Sequence, residues 1–553
     1  MRRFVITAVL TSVLVVTYPI SHAQRTAEKL KRTAATPAAQ RGIDTIAAAQ
    51  LKDYLSFIAS DEMEGRDTPS RGLDTTAKFI AMNLSRWGFK PAGDTGTFLQ
   101  RIELSRNRVD GGQTRFELNG RVLNQGTDYL PVGGSGHISG QLVFAGSGWF
   151  VKSKDIDAYK GVDGNGKIAV VFGDPNTQPR SVARGDFGKP GEDYMNVNDY
   201  ARKVGVIGII YVPDFQYLAN WERNRQRLLE RGTAGVTKFQ TPTSVPLPSI
   251  VVSPEVANSM FAGEKSSATA IFNDSYIATL PAPFALNASK TISLSLLSRA
   301  ETVATQNVVG IWEGSDPVLK DEYVALGAHY DHVGICAPNA ADPICNGADD
   351  DGSGTTALLG MAEALAKAPT RPKRSVLFVW HCGEEKGLWG SRYFTEYPTV
   401  PLDHIVTQLN IDMIGRSKKE GDTNPRNKDL TGPNDVYLIG STMMSTELGE
   451  LVQSVNKSYL NIGYDTRYDD PADTNRFFFR SDHYNYAKKG IPIIFFFDGV
   501  HEDYHQPGDS PDKIDYQKME KITRTVYMTL WELTNRAARV KVDKPLPAQF
   551  STN

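Results

Sequence analysis

Histidine and carboxylate residues of the kind that bind metal ions are concentrated in the C-terminal half of the chain. Seven of the nine histidines lie between His329 and His505. The candidate metal-site residues, in chain order, are His329, Asp350, Glu384, Glu385, Asp412 and His505. An imidazole combined with carboxylates is a familiar zinc shell, and a carboxylate between two such shells can bridge two ions. Because paired ions activate water for attack, the set predicts a two-metal hydrolase.

The order of these residues suggests how they divide between two ions. Each ion receives one histidine and one carboxylate of its own and shares Asp350 with the other: His329 with Asp412, and His505 with Glu385. Neighbouring side chains at a strand end diverge, so Glu385 can bind metal while Glu384 stays free. We expect Glu384 to be the general base that takes a proton from water and passes it to a leaving amine.

Two further aspartates lie close in sequence to the two histidines. Asp331 follows His329 by two residues, and Asp509 follows His505 by four. A metal-bound imidazole usually donates its other N–H to a carboxylate. We therefore expect Asp331 and Asp509 to orient the imidazoles, and Asp331 joins Glu384 in the predicted catalytic set. Asp351 has a simpler explanation, as the cap of a helix that begins nearby.

Hydrophobic segments that predict strands end just before several of these residues. Strands are predicted over 306–312, 323–328, 375–380, 406–411, 436–439 and 491–497. Helices are predicted over 354–368, 388–396, 446–459 and 516–534. This alternation predicts an α/β fold with a mixed, largely parallel sheet and helices on both faces. In such sheets ligands bind beyond the carboxyl ends of the strands, where these candidates lie.

The rest of the chain divides by composition into several segments. At 553 residues it is too long for one compact core. The predicted division is a signal peptide over 1–23, a flexible leader over 24–42, a discontinuous main domain over 43–133 and 285–540, a small β-rich insert over 134–284, and a tail over 541–553. Within these, 245–252 is predicted as an edge strand because of its prolines, and 416–434 as a mobile loop.

Overall charge and the N-terminal segment bear on partners and location. With 61 basic and 63 acidic side chains, no strong field favours nucleic acid or an anionic membrane, so the expected partner is a small substrate. The apolar run after Met1 is shorter than the roughly 20 residues that span a bilayer. It predicts a signal peptide that is cleaved after Ala23, and so an exported, periplasmic or secreted protein without stable membrane insertion after the cleavage. The oligomeric state stays open.

Export has a consequence for the three cysteines. Cys336 and Cys345 are nine residues apart in a loop, so an oxidising compartment would allow them to form a disulfide. Cys382 is then left over, and we expect it to be a buried free thiol rather than a nucleophile, because metals would activate the water.

At these motifs the chain resembles the secreted dizinc aminopeptidases, a family related to the glutamate carboxypeptidases and the transferrin receptor, with an inserted protease-associated domain. The resemblance rests on the metal motifs, on the N-terminal segment 54–66 and on residues 305–534. It implies a zinc-peptidase fold in which helices sandwich the sheet. It also implies two Zn²⁺ ions per chain and a peptide substrate.

The resemblance also implies roles for individual residues. It selects Asp350, rather than Asp349 or Asp351, as the bridging ligand, and it implies a cis peptide bond after Asp350. It agrees that Glu384 is the base, and it suggests that 481–483 shapes the substrate cleft. Cys382 departs from the pattern, which has a small residue there.

Three functions follow as hypotheses. The first is a metallo-exopeptidase that removes N-terminal residues from peptides. The second is a carboxypeptidase or dipeptidase of the same fold, for which Arg476 or Arg480 could bind a substrate carboxylate. The third, of a different class, is a non-catalytic receptor-like binding protein, which the complete ligand set disfavours.

Overall fold

The computed structural model describes residues 42–240, 246–276, 280–337, 340–470, 472–544 and 546. The predicted signal peptide, nearly all of the predicted leader and most of the predicted tail lie outside these ranges. Within them, no helix combines the length and the apolar character needed to span a lipid bilayer.

A mixed ten-stranded sheet forms the centre of the described molecule. Its strands lie side by side in the order Thr233–Val236, Leu99–Val109, Ser298–Trp312, Ser375–His381, Tyr323–His329, Ile405–Ile411, Ile493–Phe497, Asp435–Ile439 and Gly463–Asp465, with Lys90–Pro91 paired to Ser298–Trp312. The four strands from Ser375–His381 to Ile493–Phe497 are parallel, whereas most of the flanking pairs are antiparallel. The predicted mixed sheet is confirmed, and its parallel part is the centre.

Both faces of the central strands are buried, because alternate side chains enter different hydrophobic cores. Val376, Phe378 and Trp380 belong to one core, whereas Leu377 and Val379 belong to the other. This explains why these strands have continuous apolar sequences rather than an alternating pattern. Burial on both faces requires helices on both sides of the sheet, as predicted.

The helices provide that cover. Their bounds are Ala48–Ile58, Arg71–Arg86, Val197–Lys203, Phe215–Ala219, Trp221–Arg225, Pro254–Phe261, Ala268–Tyr276, Gly352–Lys367, Trp389–Glu396, Thr446–Ser458, His483–Ala487 and Tyr516–Asn535. Residues of Ala48–Ile58, Gly352–Lys367 and Tyr516–Asn535 pack in the first core, and residues of Trp389–Glu396 and His483–Ala487 in the second. Both ends of each predicted main-domain helix lie within two residues of the observed ends.

A second sheet lies in the middle of the chain. Its strands are ordered Arg121–Leu123, Arg115–Leu118, Thr291–Leu296, Gly136–Phe144, Ile168–Phe172, Gly208–Val212, Ser249–Val252 and Tyr129–Gly133, with Phe284–Ala285 paired to Gly136–Phe144. It therefore uses residues on both sides of the predicted insert. Conversely, Thr233–Val236, from within the insert, pairs with Leu99–Val109 in the main sheet. A small third sheet joins Tyr194–Met195, Phe150–Val151 and Ile156–Asp157.

Three local expectations had different outcomes. The predicted edge strand is wrong in its position, since Ser249–Val252 pairs on both sides. Its prolines precede the strand, so they do not interrupt either ladder. The stretch 416–434 is irregular, with one short turn at Pro425–Asn427, but it buries Leu430 in the protein. The described start of the tail is attached, because Lys541 N donates to Glu447.

The cysteine expectations are confirmed. Cys336 and Cys345 form a disulfide, and Cys382 is a buried free thiol. The disulfide closes the loop that leads from the strand Tyr323–His329 toward Asp350.

Candidate metal centre

The carboxyl ends of the central strands bring the candidate residues together. His329 is the last residue of Tyr323–His329, and Asp412 directly follows Ile405–Ile411. Glu384 and Glu385 come shortly after Ser375–His381, whose register pairs His381 with His329. Because these strands are parallel, their ends meet at one edge of the sheet.

One cluster forms around the imidazole of His329. Its Nε2 lies 3.3 Å from Asp350 Oδ1 and 3.6 Å from Asp412 Oδ1. All three side chains are buried, and each directs one ligand atom to a common point. This is the group predicted for the first ion.

A second cluster forms around the imidazole of His505. Its Nε2 lies 3.1 Å from Asp350 Oδ2 and 3.1 Å from Glu385 Oε2. His332 joins this cluster, with Nδ1 2.9 Å from Glu385 Oε1 and 3.7 Å from Asp350 Oδ2. Asp350 thus directs one carboxylate oxygen to each cluster, as expected of a bridging ligand.

The donor atoms fit metal ions. Ligand atoms held tetrahedrally at about 2.1 Å from zinc are about 3.4 Å from one another, and the distances within the clusters are close to this value. Within the described residues, Asp350 Oδ2, Glu385 Oε1 and His505 Nε2 are buried, and their close contacts with one another and with His332 do not have the geometry of hydrogen bonds. Buried polar atoms are rarely left unpaired, so their convergence indicates a cation.

Asp350 is held in place through its backbone and its neighbours. Its N–H and that of Asp349 donate to the carboxylate of Asp509. The peptide bond between Asp350 and Asp351 is cis, which confirms the expectation from the resemblance. The carboxylate of Asp351 accepts from the N–H groups of Gly354, His329 and Met413, and so connects a helix start to two strand ends.

The expectation for Asp509 is therefore corrected. Among the hydrogen bonds of the described residues, none joins Asp509 to His505. Asp509 instead accepts from the backbone N–H groups of Asp349 and Asp350, and its Oδ1 lies 3.7 Å from Arg416 Nη1. The four-residue interval between His505 and Asp509 suggested a contact that does not form, because the loop turns at His505. The φ of His505 is +56°, in the left-handed region where non-glycine residues are uncommon.

Asp331 also has a different contact from the expected one. The Nδ1 of His329 lies 3.1 Å from the backbone oxygen of Asp331, closer than the 3.7 Å to its carboxylate. The carboxylate accepts from Glu384 N at 3.1 Å and from Thr68 Oγ1 at 3.1 Å. The backbone of Asp331 thus orients His329, and its side chain orients the segment that carries Glu384.

The two adjacent glutamates are electrostatically unlike. Burial, reinforced by Glu385 and Asp412, raises the pKa of Glu384 well above its usual value, although His329 acts in the opposite direction. Burial and Asp350 also raise the pKa of Glu385, but the imidazoles of His332 and His505 outweigh them and lower it to about 2. One carboxyl is therefore suited to carry a proton and the other to remain an anion.

The cleft above the clusters has an apolar wall and one cation. Glu384, His329, Asp350 and Asp412 line it together with Met413, Phe477, Arg480, Phe495, Phe497, Val500 and Tyr504. The segment 481–483 supports this wall from behind, since the ring of His483 stacks on Phe495 at 4.6 Å. The guanidinium of Arg480 lies 5.0 Å from the ring of Phe477.

Two residues of the site were not identified from the sequence. His332 is not among the candidate metal-site residues named from the sequence, but it contacts Glu385 and Asp350. Arg66 is fully buried and donates to the backbone oxygens of Ile58, Tyr330, Asn346 and Gly347. Its position in a short N-terminal motif gave no indication of these distant partners.

Comparison with known proteins identifies relatives over the part that carries the site. Residues 307–530 match the sequence model of Peptidase family M28. A probable leucine aminopeptidase of Arthroderma otae is 30% identical over 226 residues, which are 39% of this chain and 56% of that protein. The leupeptin-inactivating enzyme 1 of Streptomyces exfoliatus is 27% identical over 230 residues, which are 41% of this chain and 43% of that protein. The chain thus spans about half the length of these curated relatives.

Solved structures resemble the whole described fold. An aminopeptidase from Aneurinibacillus sp. strain AM-1 superposes with a TM-score of 0.55 at 15% identity, over 91% of this chain and 98% of that one. A zinc aminopeptidase from Bacillus subtilis superposes with a TM-score of 0.51 at 17% identity, over 90% of this chain and 98% of that one. At these identities the likeness establishes the fold.

Proposed function

We propose that this chain is a two-zinc aminopeptidase that removes N-terminal residues from peptides, since residues 307–530 match the model of Peptidase family M28. The proposal rests mainly on the orientation of Asp350. Its two carboxylate oxygens face different imidazoles, those of His329 and His505. The names of the relatives, which include leucine aminopeptidases, support the same activity.

The residues that would hold the ions divide as the clusters do. His329, Asp350 and Asp412 would bind one zinc, and Asp350, Glu385 and His505 the other. When bound, the pair supplies Lewis-acid activation of water and of the scissile carbonyl. His332 contacts Glu385 and thereby orients it toward the second position.

Glu384 is proposed as the general base, which takes a proton from water and passes it to the leaving amine. It lines the cleft, its Oε2 lies 4.0 Å from His329 Nε2, and its pKa is raised by burial. A raised pKa makes this carboxylate a stronger base, so it takes a proton from water more readily and can hold it for the leaving amine. Asp331 acts on this residue indirectly, because it fixes the backbone N–H of Glu384.

Few charged groups of the cleft would stay free once zinc is bound. Asp350 and Asp412 would hold the ions, which leaves the carboxyl group of Glu384 and the guanidinium of Arg480. The apolar wall formed by Phe477, Phe497 and Val500 fits an apolar N-terminal side chain.

The proposal is tested with matched substrates. The chain is assayed on leucine p-nitroanilide, on the N-acetylated form of the same compound, and on an N-blocked peptide with a free carboxyl terminus. We expect cleavage of the free-amine substrate and loss of that cleavage on N-acetylation. Cleavage of only the N-blocked peptide would exclude an aminopeptidase, and cleavage of none of them would favour a non-catalytic binding protein.

A carboxypeptidase or dipeptidase is the second candidate, because Arg480 lines the cleft. Arg476 is a matched control, since its guanidinium packs over Phe479 at 4.5 Å. If Arg480 binds a substrate carboxylate, Arg480→Gln raises KM for dipeptides with a free carboxyl terminus more than for their amides, and Arg476→Gln does not. Equal effects on acid and amide substrates would remove this candidate.

Two further assignments complete the proposal. The disulfide between Cys336 and Cys345 supports export, because such bonds persist in oxidising compartments. The middle of the chain, with its second sheet, is proposed as a protease-associated insert, and we assign it no role in the chemical step.

A further inference from the structure

The second sheet carries a cavity of about 430 Å³ that lies apart from the metal centre. It opens at the carboxyl ends of three adjacent parallel strands, Gly136–Phe144, Ile168–Phe172 and Gly208–Val212. Ligands of open sheets bind at this kind of edge. The volume lies in the range of small-ligand sites, roughly 300 to 1,000 Å³. None of the candidate metal ligands lines it.

One part of the cavity wall is aromatic. Trp149, Phe172, Tyr211 and Phe272 contribute to it. Phe215 also lines the cavity and is 60% exposed, which is unusual for a large apolar side chain. Exposed aromatic groups beside a concave surface are typical of binding sites.

The polar part of the wall is acidic. Asp157, Asp174 and Asp214 line the cavity, against the single guanidinium of Arg180, which lies 3.5 Å from Asp214. Asp214 is therefore already partnered by a cation. Three carboxylates and one guanidinium leave an excess of two negative charges, so the wall attracts a cation and repels a phosphate or carboxylate ligand.

Asp157 and Asp174 are held in fixed orientations by bonds to one oxygen each. Asp157 Oδ1 accepts from Tyr159 N and Tyr200 Oη. Asp174 Oδ1 accepts from the backbone N and the side-chain Nδ2 of Asn176. Within the described part of the chain, the Oδ2 atom of each makes no hydrogen bond. Each carboxylate thus keeps one acceptor for a ligand without having to reorganise.

We propose that this cavity binds a peptide that carries a basic side chain next to an aromatic one. The guanidinium or ammonium group binds Asp157 and Asp174, and the aromatic side chain packs against Trp149 and Phe172. A cation beside these rings gains a further attraction from their faces. The site binds without cleaving, and it does not depend on the function proposed for the metal centre.

The test is calorimetric titration of the full chain with N-acetyl-Phe-Arg-amide, which is blocked at both ends against exopeptidases. The matched ligand is the same peptide with citrulline in place of arginine, which has a similar shape and no charge. The variants are Asp174→Asn, whose amide oxygen can still accept from Asn176, and the control Asp155→Asn, at a carboxylate whose side chain is 92% exposed outside the cavity.

We expect the arginine peptide to bind the wild type at least about tenfold more tightly than the citrulline peptide, because a charge-assisted bond is lost in the latter. Asp174→Asn should lower the affinity for the arginine peptide by about tenfold and leave the affinity for the citrulline peptide unchanged. Asp155→Asn should change neither, and hydrolysis of leucine p-nitroanilide should be the same in all three proteins. Equal binding of the two peptides, binding of neither, or full affinity in Asp174→Asn would overturn the proposal. The peptide comparison in the wild type decides it even if a variant does not fold.

Discussion

At the scale of single residues, the surroundings of two adjacent glutamates, Glu384 and Glu385, shift their pKa values in opposite directions. Glu385 lies between the imidazoles of His332 and His505, which stabilise its anion. Glu384 has no such pair and faces the cleft with a raised pKa. The sequence alone predicts one metal ligand and one free base in this pair, because only one of two neighbouring side chains at a strand end can point into a given cluster.

Replacing the proposed base should remove chemistry without removing metal. We expect Glu384→Gln to lower kcat by about 10³-fold, within the range for loss of a general base. Zinc content should stay as in the wild type, because the other clustered residues are unchanged. The matched control is Glu420→Gln at an exposed position. A Glu384→Gln enzyme with full activity on leucine p-nitroanilide would contradict the assignment.

The contact of His332 gives a second prediction. His332→Asn removes the imidazole that lies 2.9 Å from Glu385, so zinc affinity should fall about 10- to 100-fold, as for other residues that orient a metal ligand. Competition with a chelating dye measures this affinity. His137→Asn, at an exposed histidine of the second sheet, should have no effect. Unchanged affinity in His332→Asn would mean that Glu385 is held by other contacts.

At the scale of elements, the parallel strands explain why part of the site was predictable. His329 and Asp412 were located because each ends or follows an apolar segment long enough to be recognised. The contacts of His332, Arg66 and Asp509 were not predictable, since they join loops and helices that are distant in the sequence. The pairing of Thr233–Val236 with the main sheet was missed for the same reason, because a short edge pair has no strong hydrophobic pattern.

Arg66 joins the N-terminal helices to the loops of the metal centre. Its guanidinium donates to four backbone oxygens and is inaccessible to solvent, so Arg66→Met leaves these acceptors unpaired. We expect a loss of at least about 3 kcal/mol in the free energy of unfolding, measured in denaturant. Arg71→Met, at an exposed position of the next helix, should stay within about 0.5 kcal/mol of the wild type. Similar stabilities of the two variants would contradict this role.

The disulfide stabilises a loop rather than the site chemistry. A double Cys336→Ser and Cys345→Ser variant should lose about 2.5 kcal/mol, the loop-closure entropy expected for a nine-residue separation. Its kcat should be close to that of the wild type once zinc is saturating. Unchanged thermal unfolding of the double variant would show that the loop is constrained by its other contacts.

At the scale of the whole molecule, the chain combines a predictable main domain with a less predictable middle part. The fold class of the main domain followed from alternating strands and helices, and the structure has that alternation. The limits of the second sheet, which takes strands from Arg115–Leu118 to Thr291–Leu296, depend on pairings that no local pattern reveals.

Metal binding should be coupled to the stability of the main domain. Without a cation, the carboxylates of Asp350, Glu385 and Asp412 lie close together and repel one another. Ligands that bind only the folded state stabilise it, by about 4 kcal/mol at 1,000 times the Kd. We expect zinc to raise the thermal midpoint of the chelated wild type and of Glu384→Gln, but much less that of Asp350→Asn. An equal rise in all three would place the ions elsewhere.

We propose that two zinc ions share Asp350 at a site that cleaves N-terminal residues. The most direct measurement is a titration of the chelated protein with zinc, in which bound metal per chain and hydrolysis of leucine p-nitroanilide are recorded together. We expect binding to saturate at two ions per chain and activity to reach its maximum at the same point. Full activity with a single bound ion, or two bound ions without activity, would contradict this proposal.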